Sequence, residues 1–174
     1  MRTQSEGEIR MGSQPEVVIL KGESNVLKMP MYAEKSENLY QFIHNYFLKK
    51  KFQVYLLDAG RMGSAEQKFL FEHLSAKTAY IVGHSFGTQV LVNHLKTIQN
   101  QCDNLRSIIL LDPMKSVEDL DFDPLPVFTF WSSKWKDRIR PSDTKLGLHK
   151  NFQDDHFFNN SLGDMGSMFN IITN

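Results

Sequence analysis

The sequence predicts an α/β fold, a mostly parallel sheet of about six strands with helices on both faces. Three observations carry that expectation. Short apolar runs such as Glu16–Leu20 and Ser107–Leu111 lack alternation, the pattern of strands buried on both faces. Segments with helical periodicity separate those runs, as in sheets built from strand–helix–strand units. One run, Ala79-Tyr80-Ile81-Val82, ends in Gly83-His84-Ser85-Phe86-Gly87 and passes directly into a helical pattern. That is the sequence form of a strand, a sharp turn with serine at its tip, and a helix.

Length and composition bound the answer. A chain of 174 residues supports one domain with a real core. The expected organisation is a flexible N-terminal segment over residues 1–15 and a single domain over 16–174. The formal net charge is +0, which offers no basic footprint for nucleic acid. The polar start lacks the apolar core of a secretory signal, and no run reaches the length of a membrane span. The single cysteine, Cys102, cannot form an internal disulfide, so a reducing, cytoplasmic compartment is expected. No cofactor and no metal are expected. Nothing in the sequence sets the oligomeric state.

The elements follow in order. Glu16–Leu20 is the first strand and ends at Lys21-Gly22. A loop is expected around Met29-Pro30-Met31, then a helix with Ser36 as N-cap and Leu39, Phe42, Ile43, Tyr46 and Phe47 on one face. Gln53–Leu57 is the second strand, followed by the glycine-broken loop Asp58–Ser64. Ser64 with Gln67 three residues on predicts a capping box for a helix carrying Phe69, Leu70 and Leu74. The third strand leads into the serine turn, and its helix carries Val90, Leu91, Leu95 and Ile98. Ser107–Leu111 is the fourth strand, ending in Asp112-Pro113, and Pro126–Trp131 is the fifth. Lys145–His149 alternates weakly and is expected as a sixth, edge strand. Leu162, Met165, Met168, Phe169 and Ile172 predict a closing helix.

In parallel sheets a ligand site lies beyond the C-terminal ends of the strands. Gly22, Asp58, Ser85, Asp112, Asp137 and His156 all fall at that edge in this reading. A serine becomes a nucleophile when a histidine takes its proton and a carboxylate orients the histidine. In a strand–turn–helix setting the chain order is Ser, acid, His. His44, His73 and His84 precede Ser85, and His94 sits on the helix that follows it. His149 and His156 remain. His156, in a loop past the sixth strand, is the preferred base, with His149 inside that strand. Two acids are open. Asp137 follows the fifth strand and is favoured; Asp112, which ends the fourth, is the alternative, because Asp112-Pro113 also reads as a turn opener. An oxyanion hole needs two donors, expected from the N–H of Phe86 and from the backbone at Gly22 and Glu23. Gly83 and Gly87 flank the serine because the turn leaves no room for a Cβ there. A histidine base predicts a rate that falls as pH drops through the imidazole range, near 6.5 for an unperturbed ring.

These residues resemble the α/β-hydrolase fold superfamily. Gly83-His84-Ser85-Phe86-Gly87 is similar to its nucleophile elbow, and Asp58–Ser64 to its Asp-x-x-Gly-x-Gly-x-Ser loop with Gly60 shifted by one place. Pro126–Pro141 resembles its acid-bearing strand and loop, and Asp155-His156-Phe157-Phe158 its histidine loop. The resemblance spans about Glu16 to Phe158. It departs from the pattern at Lys21-Gly22, where the family has His-Gly, and at Trp131-Ser132-Ser133, which lacks a usual glycine. No room for a lid separates Asp112 from Pro126. The resemblance implies a minimal, lidless serine hydrolase cleaving a small or extended ester or thioester. Phe128, Phe130, Trp131 and Trp135 are candidates to line an acyl pocket, with Phe128 and Phe130 also reading as plain core residues. A non-catalytic interaction module on the same fold and an acyltransferase using the same triad are the alternatives.

Overall fold

The structure is a computed structural model, and it describes residues 14–22, 30–113, 122–123, 125–133 and 149–174. Six strands form one sheet: β1 (Glu16–Lys21), β2 (Gln53–Asp58), β3 (Thr78–His84), β4 (Ser107–Leu111), β5 (Val127–Ser132) and β6 (His149–Phe152). Every neighbouring pair is parallel, in the order β2-β1-β3-β4-β5-β6. The helices are α1 (Pro30–Lys49), α2 (Ser64–Glu72), α3 (Phe86–Asn93), α4 (Leu95–Gln101) and α5 (Leu162–Thr173). The expected α/β architecture of six parallel strands is therefore present. No helix among the described residues is long and apolar enough to cross a membrane.

Alternation along the strands sorts the core into two layers. Val18, Leu20, Ile81, Ile108 and Leu110 face one side, against Phe71 of α2, Val90 and Leu91 of α3 and Ile98 of α4. Val17, Ile19, Val82, Ile109 and Leu111 face the other, against Leu39, Ile43 and Phe47 of α1 and Met165 and Phe169 of α5. Continuous apolar strands are required because both faces are covered. Chain direction across the sheet reverses between β1 and β3, and the crevice at such a switch point is where ligands bind in open parallel sheets.

Several element boundaries differ from the sequence expectation, each for a local reason. The first helix begins at Pro30 rather than at a Ser36 cap, so Met29-Pro30-Met31 is not all loop. Proline suits a first helical turn, where a backbone N–H has no partner to lose. Ser36 lies inside the helix, buried, and its hydroxyl donates to the Ala33 carbonyl. The cap of α2 is Gly63, whose N–H donates to Glu66 Oε2 at 2.7 Å, one place ahead of the expected Ser64–Gln67 box. The helix after the serine turn breaks at His94 into α3 and α4. The His94 ring stacks on Phe71 at 4.8 Å and packs that helix against α2. The sixth strand starts where Lys145–His149 was expected to end; residues 145–148 lie outside the described residues. So do residues 1–13, where most of the expected N-terminal segment falls.

Candidate active site

The turn at Ser85 is strained as its sequence requires. Ser85 has φ 53° and ψ −119°, a conformation side chains rarely adopt. Its N–H donates to the Leu111 carbonyl, and its carbonyl accepts from both the N–H and the hydroxyl of Thr88. The flanking glycines let the helix approach. A Cβ at Gly87 would stand 2.2 Å from the Leu20 carbonyl oxygen, and one at Gly83 would stand 3.0 Å from the Gly87 oxygen. A Cβ at Gly22 would come within 3.1 Å of Ser85 Cβ, so the end of β1 lies directly against the serine. Ser85 therefore sits at the switch-point crevice between β1 and β3. Phe86 opens α3, and the first N–H groups of a helix have no intrahelical partner.

His156 follows β6 and turns its imidazole to Asp112. The Nδ1–Oδ2 distance is 2.8 Å, with the carboxylate fully buried and the imidazole side chain 18% exposed. Asp112 is held from a second side by Ser132, whose N–H donates to Oδ1 at 2.6 Å and whose hydroxyl donates to Oδ2 at 2.5 Å. Asp112 itself has φ 44°, a second strained residue at this edge. An ionised carboxylate only accepts, so His156 Nδ1 carries a proton and donates. The favoured acid of the sequence reading, Asp137, lies outside the described residues, as does Glu23. The carboxylate at the imidazole is the alternative, Asp112. Asp112-Pro113 is thus more than a turn opener. Ser132, which stood out in the sequence only as a departure at a usual glycine, is the residue that fixes the acid.

The loop carrying His156 is tied down by its neighbours. Asp154 accepts from the N–H groups of Asp155 and Asn160, and Asp155 pairs with Lys35 of α1. Asp154 and Asp155 hold this loop in place. His149 lies at the start of β6. Of the aromatic residues offered for an acyl pocket, Phe130 packs between Phe152 and Phe169, and Trp131 is buried with its indole N–H donating to Thr129. Both are core residues, because β5 is covered on both faces. Phe128 is half-buried, and Trp135 lies outside the described residues. Cys102 is buried, which with the nearby Asp103 charge pushes its thiol up to about 11, unsuited to a nucleophile.

Two further residues escaped the sequence reading. Tyr40 of α1 accepts from the Gly22 N–H at 2.9 Å and contacts His84 Nδ1 at 2.7 Å. His84 Nε2 lies 2.9 Å from the His156 carbonyl oxygen. The Gly22 N–H is therefore engaged by Tyr40 and does not point into an oxyanion hole. Tyr40 carried no sequence signal beyond its place on the apolar face of a helix. His84 is buried against Tyr40 of α1 and against the His156 ring, 4.6 Å away. Burial, reinforced by His156, holds His84 well below the ordinary histidine range, the His156 carbonyl opposing the shift. Burial also lowers His94. The unfolded chain binds more protons at these histidines below about pH 6.5 than the native state does, so stability falls as pH drops through that range, with the buried His84 the larger contributor. Denaturant midpoints at pH 7.5 and 5.5 check this, and His84→Gln is expected to flatten the difference.

No protein-family profile matches this chain, and no curated protein matches it in sequence. The solved structure of SrfTE, the thioesterase domain that cyclises the lipopeptide antibiotic surfactin, is similar with a TM-score of 0.50 and 10% identity. The match covers 90% of this chain and 92% of that one. A dienelactone hydrolase from Anabaena variabilis matches more distantly, with a TM-score of 0.42 and 9% identity over 91% of this chain and 85% of that one. The strand order, the parallel sheet and the first of these likenesses define the α/β-hydrolase fold. At 10% identity the likeness reaches the fold and stops there.

Proposed function

We propose that this protein is a serine hydrolase cleaving a carboxylic ester or thioester through Ser85, His156 and Asp112. The observation that carries the reading is the buried Asp112 carboxylate hydrogen-bonded to His156 Nδ1 at the same strand-end edge as the strained Ser85 turn. With Nδ1 donating to Asp112, neutral His156 holds its lone pair on Nε2. In the proposed reaction Ser85 Oγ attacks the acyl carbon and its proton passes to His156 Nε2. The carbonyl π pair moves onto oxygen, and the Phe86 N–H with a backbone donor at Glu23 stabilises that oxyanion. Collapse breaks the bond to the alkoxide or thiolate, which leaves with the His156 proton. Water then gives a proton to His156 and attacks the acyl-enzyme, releasing the acid and returning the proton to Ser85 Oγ.

No cofactor enters this scheme. A reducing, cytoplasmic setting fits a single buried thiol. The substrate is a small-molecule or acylated ester or thioester. The structurally similar thioesterase domain cyclises its lipopeptide, which is the reason to assay with and without a nucleophilic acceptor. The decisive test is a fluorophosphonate probe. Wild type is expected to label at Ser85, and Ser85→Ala is expected to lose the label completely. An unlabelled wild type would instead support a non-catalytic module on the same fold.

A further inference from the structure

Two buried polar side chains, Tyr40 and His84, join the backbone beside Ser85 to the backbone of His156. The donors and acceptors along that path are fixed by the groups at its ends. The Gly22 N–H can only donate, so Tyr40 Oη accepts there. The His156 carbonyl can only accept, so His84 Nε2 must carry a proton and donate. Neutral His84 then presents a bare Nδ1, and the one proton of Tyr40 points to it at 2.7 Å. The chain runs Gly22 N–H to Tyr40, Tyr40 O–H to His84, His84 N–H to His156 C=O. Each group in it is paired. Gly22, Tyr40 and His84 are buried, where a missing partner is costly.

The path also links four separate pieces of chain: the end of β1, the helix α1, the last residue of β3, and the loop after β6. His84 is the residue directly before Ser85, so it cannot move without moving the turn. Asp112 and Ser132 fix the ring of His156 from the β4 and β5 side. The His84 bond fixes the backbone of the same residue from the β3 side. A base held at ring and backbone from separate strand ends keeps its position relative to a serine in the turn that follows β3.

We propose that His84 and Tyr40 are positioning residues for the reaction, acting through His156 and Gly22 rather than on substrate. The inference rests on the serine hydrolase reading above. Phe replaces the His84 ring without a donor or acceptor, Gln restores a donor reaching the position of Nε2, and Tyr40→Phe removes a single oxygen. The expected result is that His84→Phe lowers kcat and the rate of fluorophosphonate labelling about tenfold to a hundredfold with KM little changed, since small misplacements of a catalytic group cost that much. Tyr40→Phe is expected to give a smaller loss in the same direction, and His84→Gln to recover most of the rate. Denaturant midpoints for each variant separate slow chemistry from unfolding, and Tyr40→Phe carries the test if His84→Phe does not fold. His84→Phe and Tyr40→Phe both labelling at the wild-type rate would overturn the proposal and leave the hydrolase reading intact. If wild type itself does not label, ¹⁵N NMR of the imidazoles decides instead. The Nε2–H tautomer at His84 and a displaced His156 signal in Tyr40→Phe are expected; an Nδ1–H tautomer or an unmoved His156 signal would refute it.

Discussion

Asp112→Asn is expected to lower kcat by about 10³–10⁴-fold with little change in KM, the loss typical when a triad carboxylate becomes an amide. Three donors converge on Asp112: the N–H and hydroxyl of Ser132 and the Nδ1–H of His156. An asparagine offers one acceptor oxygen and an NH₂ that must face one of these donors. If it faces His156, Nδ1 has to supply a lone pair, which moves the proton to Nε2. The imidazole then cannot take the serine proton. If it faces Ser132 instead, a buried pair of donors is left opposed, at a cost of about 1–3 kcal/mol. Single-turnover labelling of Asp112→Asn, beside Asp137→Asn, measures the effect directly. Asp137→Asn is expected to stay near wild type. The opposite ranking would move the acid to the loop after β5 and remove the assignment made here.

Gly87→Ala is expected to destabilise the fold by more than about 4 kcal/mol, or to prevent folding. A Cβ there meets the Leu20 carbonyl oxygen at 2.2 Å and its carbon at 2.9 Å, and these are backbone atoms of a central strand. Neither can rotate away, so α3 must lift from β1. The comparison is Gly83→Ala. Its nearest obstacle, Leu91 Cδ1 at 2.7 Å, is a side-chain tip that can turn, while the Gly87 backbone at 3.0 Å must give slightly. A cost of about 1–3 kcal/mol is expected there. Urea midpoints with their slopes rank the two variants. A Gly87→Ala protein with a wild-type midpoint would mean that the helix does not approach the strand as closely as the turn implies.

The glycine effects follow from five consecutive residues. A strained turn between an apolar strand and a helix is a short-range event, and sterics over a few bonds decide it. The candidate base was legible in a similar way, because the order of elements leaves few histidines at the strand-end edge. Helix boundaries were less legible. Pro30 and Ser36 both fit a first turn, and Gly63 and Ser64 both fit a cap. Sequence periodicity does not choose between neighbours whose propensities are alike.

The α/β class, the parallel character of the sheet, the serine turn and the candidate histidine loop were legible in the sequence alone, through periodicity, local sterics and the order of elements. Tertiary structure alone chose Asp112 as the carboxylate at His156, gave Ser132 its role, and joined Tyr40 to His84. The physical reason is the same each time. Asp112 and His156 are 44 residues apart, as are Tyr40 and His84, and Asp112 and Ser132 are 20 apart. Whether such side chains meet depends on strand register and on the angle at which each leaves its own element. No pattern of spacing along one chain records those quantities. The strained turn at Ser85 could be read before folding; the hydrogen bonds that orient its candidate partners exist only after six strands have aligned.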